Sequence, residues 1–183
     1  SARQALEAFG NRSPRLHILA HDVAYFWLEQ GHTARALPMF RAVLPLLDRP
    51  LDRMLVLANI ARAAGGTGDR PMVDAAVARI DSMIVDPQLR IAAGRALLEV
   101  ARGYFSLGSY DRAEVAALGA LASATEFREA KIQFAAESLL NAIRQKEEAS
   151  VSEPVPADTT PGFGDELAAD FVKALETMAG ATH

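Results

Sequence analysis

His17 and His21 stand four residues apart, with Asp22 directly after the second. On a helix that spacing puts both imidazoles on one face, an arrangement that can chelate zinc. The chain offers no third ligand in an obvious place, and the glutamate of a zinc-protease motif is missing. Ordinary surface or groove histidines are the plainer reading. The run Gly65-Gly66-Thr67-Gly68-Asp69 has the glycine content of a phosphate-cradling loop. It lacks the Lys-Ser/Thr pair and the preceding strand that such a loop needs, so it reads as a turn between helices. There is no cysteine, which excludes thiol catalysis, disulfides and Cys-based zinc sites. No nucleophile–base pair and no recognisable carboxylate pair stands out. The expectation is therefore a protein that is not an enzyme, with no cofactor and no metal.

What remains is a chain suited to packing helices. It has 183 residues, of which 50% are hydrophobic and 23% charged, within the range of globular domains. The apolar residues are mostly Ala, Leu and Val, and aromatics make up only 7%. Small side chains let helices approach closely. The net charge of −4 is concentrated at the end of the chain. After residue 149 there is one base, Lys173, against Glu153, Asp158, Asp165, Glu166, Asp170 and Glu176. No basic footprint for nucleic acid is present, and no apolar run approaches the roughly 18 residues that cross a bilayer. Arginine greatly outnumbers lysine, as in GC-rich bacterial genomes, and a bacterial cytoplasmic protein is expected. The periplasm is the alternative, because the chain begins at Ser1 without Met.

Punctuation along the chain divides it into helices. Residues 2–9 read as the last turns of an upstream helix or a short cap. Ser13-Pro14 marks a helix start that runs to Gly31. Thr33 is the expected cap of the next helix, in which Pro38 and Pro45 predict a bend or break. A second pair begins near Pro50 and turns at residues 65–68, with Asp69 capping its second member. Asp86-Pro87 repeats the cap-and-proline signal and opens a helix over 87–107. A partner spans 109–123. Ser123 and Glu126 have the spacing of a capping box, which predicts a seventh long helix to about Lys146. Residues 149–164 have linker composition. Leu167, Phe171, Leu175 and Met178 then form one apolar face of a C-terminal amphipathic helix at 165–180. In the cluster Tyr25-Phe26-Trp27, two rings are expected in the core and Tyr25 outside it.

The three units repeat. They read Ala24-x-x-Trp27-x-x-x-Gly31-x-x-x-x-Ala36-x-x-x-Phe40, then Ala61-x-x-Ala64-x-x-x-Gly68-x-x-x-x-Val73, then Ala101-x-x-Tyr104-x-x-x-Gly108-x-Tyr110-x-x-Ala113. Their glycines lie 37 and 40 residues apart. A period of that size signals stacked helix pairs. The pattern resembles tetratricopeptide-type (TPR) repeats, best in the third unit at Ala101, Tyr104, Gly108, Tyr110 and Ala113. The middle unit keeps only Ala61 and Gly68, the early Trp-Leu-Gly signature and closing proline are absent, and the period exceeds the family's 34. The resemblance covers roughly residues 14–125. It implies an all-α, right-handed α-solenoid of antiparallel helix pairs over residues 1–148, about seven helices, followed by the linker and the C-terminal helix.

The same resemblance implies that the first helix of each pair lines a concave groove. Residues 13, 10, 6 and 3 before each glycine would face it: Ile18, His21, Tyr25 and Leu28; Leu55, Ala58, Arg62 and Gly65; Arg95, Leu98, Arg102 and Phe105. The expected peptide-binding groove is His21, Tyr25, Leu28, Arg62, Arg95, Leu98, Arg102 and Phe105, apolar with three arginines. The C-terminal helix is apolar with acids around it, so it is a chemically matched candidate for that groove. Leu167, Phe171, Leu175 and Met178 would be its anchors. It could act as a ligand in cis, exchange with a neighbour to form a homodimer, or cap the stack. The functional expectation is a protein- or peptide-binding scaffold or adaptor, with no nucleic acid or membrane partner. The alternative is a ligand-sensing helical domain of a larger bacterial regulator.

Overall fold

Gly31, Gly68 and Gly108 have φ of +79°, +80° and +67°, the left-handed region that ends helices without a Cβ penalty. Each closes the first helix of a unit and reverses the chain. A computed structural model, which describes residues 16–149 and 163–180, contains helices and no strands among those residues. The helices are α1 (Leu16–Glu29), α2 (Thr33–Val43), α3 (Pro50–Gly66), α4 (Arg70–Ile84), the short α5 (Pro87–Arg90), α6 (Ala93–Ser106), α7 (Tyr110–Glu126), α8 (Ala130–Ala149) and α9 (Phe163–Gly180). Successive helices pack on one another through the series: α1 on α2, α2 on α3, α3 on α4, α6 on α7 and α7 on α8. Alternate members also meet, α3 on α6 and α6 on α8.

The α3–α6 crossing shows why small residues are placed where they are. A Cβ at Gly103 would sit 2.5 Å from the Ala61 carbonyl oxygen, and one at Gly65 would collide with the Gly103 backbone. Here the two backbones touch, and Ala58, Ala61, Ala64 and Ala101 around them are buried. Gly65 was expected in a loop facing the groove. It lies inside α3 instead, because close approach of α6 requires a residue without a side chain.

Several helix ends depart from the sequence expectation. Asp69 and Asp86 cap as anticipated, accepting from the amides of Met72 at 3.0 Å and Gln88 at 2.9 Å. Thr33 does not cap; it is already helical, and His32 occupies the cap position without a side-chain bond. Pro38 is accommodated inside α2, and the change of helix type comes at Pro45, in a 3-10 turn over Leu44–Leu46. The expected helix 87–107 is two helices separated at Ile91-Ala92. The capping box at Ser123 does not form, because α7 continues through Glu126. The turn into α8 instead uses Arg128 at φ +57°. Of the aromatic cluster only Trp27 joins the core; Phe26 is 60% exposed and Tyr25 40%. Tyr25 thus lies outside the core as expected, and Phe26 departs from the expectation. Ser13-Pro14, the upstream segment 2–9 and most of the linker lie outside the described residues.

The C-terminal helix α9 packs chiefly on α2, with a smaller contact on α1. Leu167, Phe171 and Leu175 are buried there with Ala168 and Ala174, while Met178 is half-buried. Burial of side chains of that size stabilises by about 1.5–3 kcal/mol each, and an isolated helix of this length is marginal in water. At its start Asp165 accepts a hydrogen bond from Arg35 Nε at 2.7 Å. The two acids of its first turn also oppose the positive end of its dipole.

Candidate functional site

The alternating packing puts α1, α3, α6 and α8 along one face. Between them runs a half-enclosed cleft of about 490 Å3. Leu55, Ala58, Leu98, Ile132 and Ala135 supply its apolar wall, and His21, Tyr25, Glu29, Asn59, Arg95, Glu99, Arg102 and Lys131 its polar one. Of the groove residues expected from the repeat frame, His21, Tyr25, Arg95, Leu98 and Arg102 line this cleft, as do Leu55 and Ala58. Leu28 does not; it is 1% exposed and belongs to the core. Phe105 lies beyond the cleft and packs its ring against Tyr110 at 5.7 Å. Ile18 is exposed outside it.

Arg62 is displaced from the lining by its own ion pairs. Its Nη1 donates to Glu29 at 2.6 Å and to Glu99 at 3.0 Å. Arg102 donates to the other oxygen of Glu99 at 2.7 Å. Glu29, Arg62, Glu99 and Arg102 thus form one network that ties α1, α3 and α6 together. Burial of Arg62 disfavours its charge, but the fields of Glu99 and Glu29 and their hydrogen bonds outweigh that and raise its pKa above the usual value. Glu99 is only 6% exposed, so its carboxylate is partnered by two guanidinium donors rather than by water. Two of the three expected groove arginines are therefore neutralised from within. Arg95 stands 4.0 Å from Glu129, and Lys131 has no ion pair among the described residues. The positive character of the cleft is gathered at its α6–α8 end.

His21 stacks on Tyr25 at 6.4 Å, meets Phe40 edge-on at 5.8 Å and lies 3.3 Å from Asp22. These contacts use the imidazole as an aromatic wall. Among the described residues no three His, Asp or Glu side chains gather as a metal site. Burial and the nearby carboxylates of Glu29 and Glu99 push the Tyr25 phenol upward, against the opposing arginines. It is therefore a neutral hydroxyl at physiological pH, able to donate and accept.

The repeat frame missed Asn59 and Glu99. Both stand nine residues before their glycines, as Asp22 does before Gly31, so one register carries a polar residue in every unit. That recurrence was the available signal. Asn59 is 6% exposed, and its side chain has no hydrogen-bond partner among the described residues. Neither of its polar atoms is fully occluded, since the only wholly buried orphan side-chain atoms among the described residues are Ser123 Oγ and Glu129 Oε2. The Asn59 amide accordingly opens into the cleft.

The expected occupant of the groove is elsewhere. No residue of α9 lines the cleft, because its apolar face is spent on α2. Of the arrangements that the sequence left open, the structure has the helix on α2 and not in the cleft. Comparison with protein-family models, with curated proteins and with solved structures finds no match to this chain. The class of protein stands on its geometry: an all-α chain whose alternate helices build a polar-floored cleft. No helix among the described residues is long and apolar enough to cross a membrane.

Proposed function

We propose that the chain is a non-catalytic protein- or peptide-binding scaffold or adaptor, built as a right-handed TPR-like solenoid of helix pairs. The observation that carries this reading is the cleft of about 490 Å3 along α1, α3, α6 and α8, left open while the C-terminal helix is docked on α2. Its floor is rigid, since Arg62 and Glu99 join three helices, and its rim has aromatic and cationic groups that anchor partners. In this reading α9 is a structural cap on the first helix pair, and the α2 face is its seat.

The cleft volume also lies in the range of small-molecule sites. That supports the second reading, a ligand-sensing helical domain of a larger bacterial regulator. The cleft has one aromatic side wall, His21 with Tyr25, and a charged floor, which suits a peptide better than an apolar metabolite.

The test is selection of linear peptides from a random library on the intact chain, followed by calorimetry on synthetic versions. A Tyr25→Ala/Arg95→Ala double variant changes two exposed cleft residues and should keep its helicity and Tm. Selected peptides should lose at least tenfold in affinity for it. Peptides that bind both forms alike would place the binding site elsewhere and sink the groove reading.

A further inference from the structure

We propose that the cleft takes an extended peptide segment whose neutral main-chain amide pairs with Asn59, rather than an amphipathic helix. The inference rests on the peptide-binding reading and specifies the conformation and chemistry of the ligand. Its basis is the pairing of a buried, unpartnered amide with an electrically balanced floor. Asn59 sits mid-way along α3, three residues before Arg62, and lines the cleft with Leu55, Leu98, Glu99 and Arg102. A carboxamide carries both donors and an acceptor. The charged groups beside it already satisfy one another: Glu29 and Glu99 balance Arg62 and Arg102 through bonds of 2.6, 3.0 and 2.7 Å. A carboxylate at Asn59 would meet Glu99, and an ammonium would meet the two guanidinium groups. A neutral group that donates and accepts at once meets neither, and a peptide bond is that group.

Conformation follows from the same pairing. A helix turns its N–H and C=O groups onto itself, so a helical ligand could reach Asn59 only with a side chain. An extended segment presents both groups sideways at every residue and projects alternate side chains to opposite faces. Leu55, Ala58 and Leu98 on one side of the cleft, and Ile132 and Ala135 farther along, offer apolar contact for such side chains. At the α6–α8 end Arg95 and Lys131 offer positive charge, so an acidic residue at one end of the segment fixes its direction.

The experiment uses the 15N-labelled intact chain and a pool of blocked hexapeptides, Pro- and Val-rich with one terminal Asp or Glu. Hydrocarbon-stapled helical peptides of the same composition form the comparison set. The Asn59 side-chain amide resonances are identified by their disappearance in Asn59→Ala. Extended peptides should shift those resonances. The best of them should lose tenfold or more in affinity on Asn59→Ala, and likewise on N-methylation of a single one of its peptide bonds. Asn59→Ala should leave Tm unchanged, because the amide bonds no other group among the described residues and opens into the cleft; a fall in Tm with unchanged peptide affinity would make Asn59 structural and overturn the proposal. Cleft binding by stapled helices, indifferent to Asn59→Ala, would also overturn it while leaving the peptide-binding function intact. Failure of both peptide sets to perturb any cleft residue would remove both readings together.

Discussion

At the scale of single residues, the two buried polar contacts across helices carry separate tests. Glu99 holds Arg62 and Arg102 on its two oxygens. Replacing it by Ala leaves Arg62, whose side chain is 18% exposed, with only Glu29. Removing one partner of a buried pair is costly because the other charge stays behind. Glu99→Ala should therefore destabilise by about 3 kcal/mol in urea unfolding, and Glu99→Gln by less, since it keeps an acceptor. Equal stability of wild type and Glu99→Ala would mean that the network is solvated and does not tie the helices. Tyr104, 6% exposed, donates to Asp74 at 2.9 Å beneath the Arg112 guanidinium, which lies 5.6 Å from its ring centre. Burial, then the bond to Asp74 and its charge, raise this phenol above its ordinary value of 10.0, with Arg112 opposing. The folded chain thus holds the proton more tightly than the unfolded chain. The contribution is complete below pH 10 and is lost as pH climbs through and above that value. Tyr104→Phe should cost about 1 kcal/mol near neutral pH and flatten the alkaline limb of a stability–pH curve. An unchanged alkaline limb would assign that decline to other groups.

At the scale of elements, the crossing of α3 and α6 decides how the units stack. It depends on two glycines rather than on large side chains. Gly65→Ala forces a Cβ into the Gly103 backbone, which cannot rotate away as a side chain can. The helices must separate, opening the packed interface around Ala61 and Ala101. Such overpacking costs about 1–3 kcal/mol, against a helix-propensity gain of up to about 1 kcal/mol for Gly to Ala. The expected outcome is a net loss of stability for Gly65→Ala, measured by thermal unfolding. The control is Gly119→Ala on α7, where the added Cβ meets only the end of the Leu97 side chain at 3.2 Å. A rise in Tm for Gly65→Ala would show that the crossing has slack. Because Asn59 and Glu99 lie on these two helices, the same variant should also shift the cleft floor.

At the scale of the whole molecule, the C-terminal helix closes the first helix pair. Phe171 is fully buried between Leu167 and Leu175 against α2. If α9 folds as part of one cooperative unit, Phe171→Ala should cost about 3–5 kcal/mol and lower Tm with a single transition. A small early transition followed by an unshifted main one would mark α9 as a separately melting appendage. Either result is independent of the cleft, since α9 does not line it. A competitor peptide of residues 163–180 should accordingly leave the cleft resonances unmoved.

Local chemistry was enough to read several features directly. Glycines at 31, 68 and 108 predict where the first helices end, because only a residue without Cβ adopts positive φ freely. Asp69 and Asp86 before prolines predict caps, and the structure has both. The spacing of Leu167, Phe171, Leu175 and Met178 predicts one apolar face. These depend on interactions within a few residues, so the order of neighbours along the chain determines them. It also determined the all-helical class, through an Ala- and Leu-rich composition at helical spacing. What tertiary structure alone decided are the pairings across helices. Gly65 reads as loop until α6 is placed against it. Arg62 reads as a free cation until Glu29 and Glu99 are brought to within 3.0 Å. The C-terminal helix matches an apolar, basic groove in composition, yet it packs on α2, because burial rewards any complementary apolar face. Which face that is depends on the shape left by the other helices, and periodicity along the chain carries no record of it.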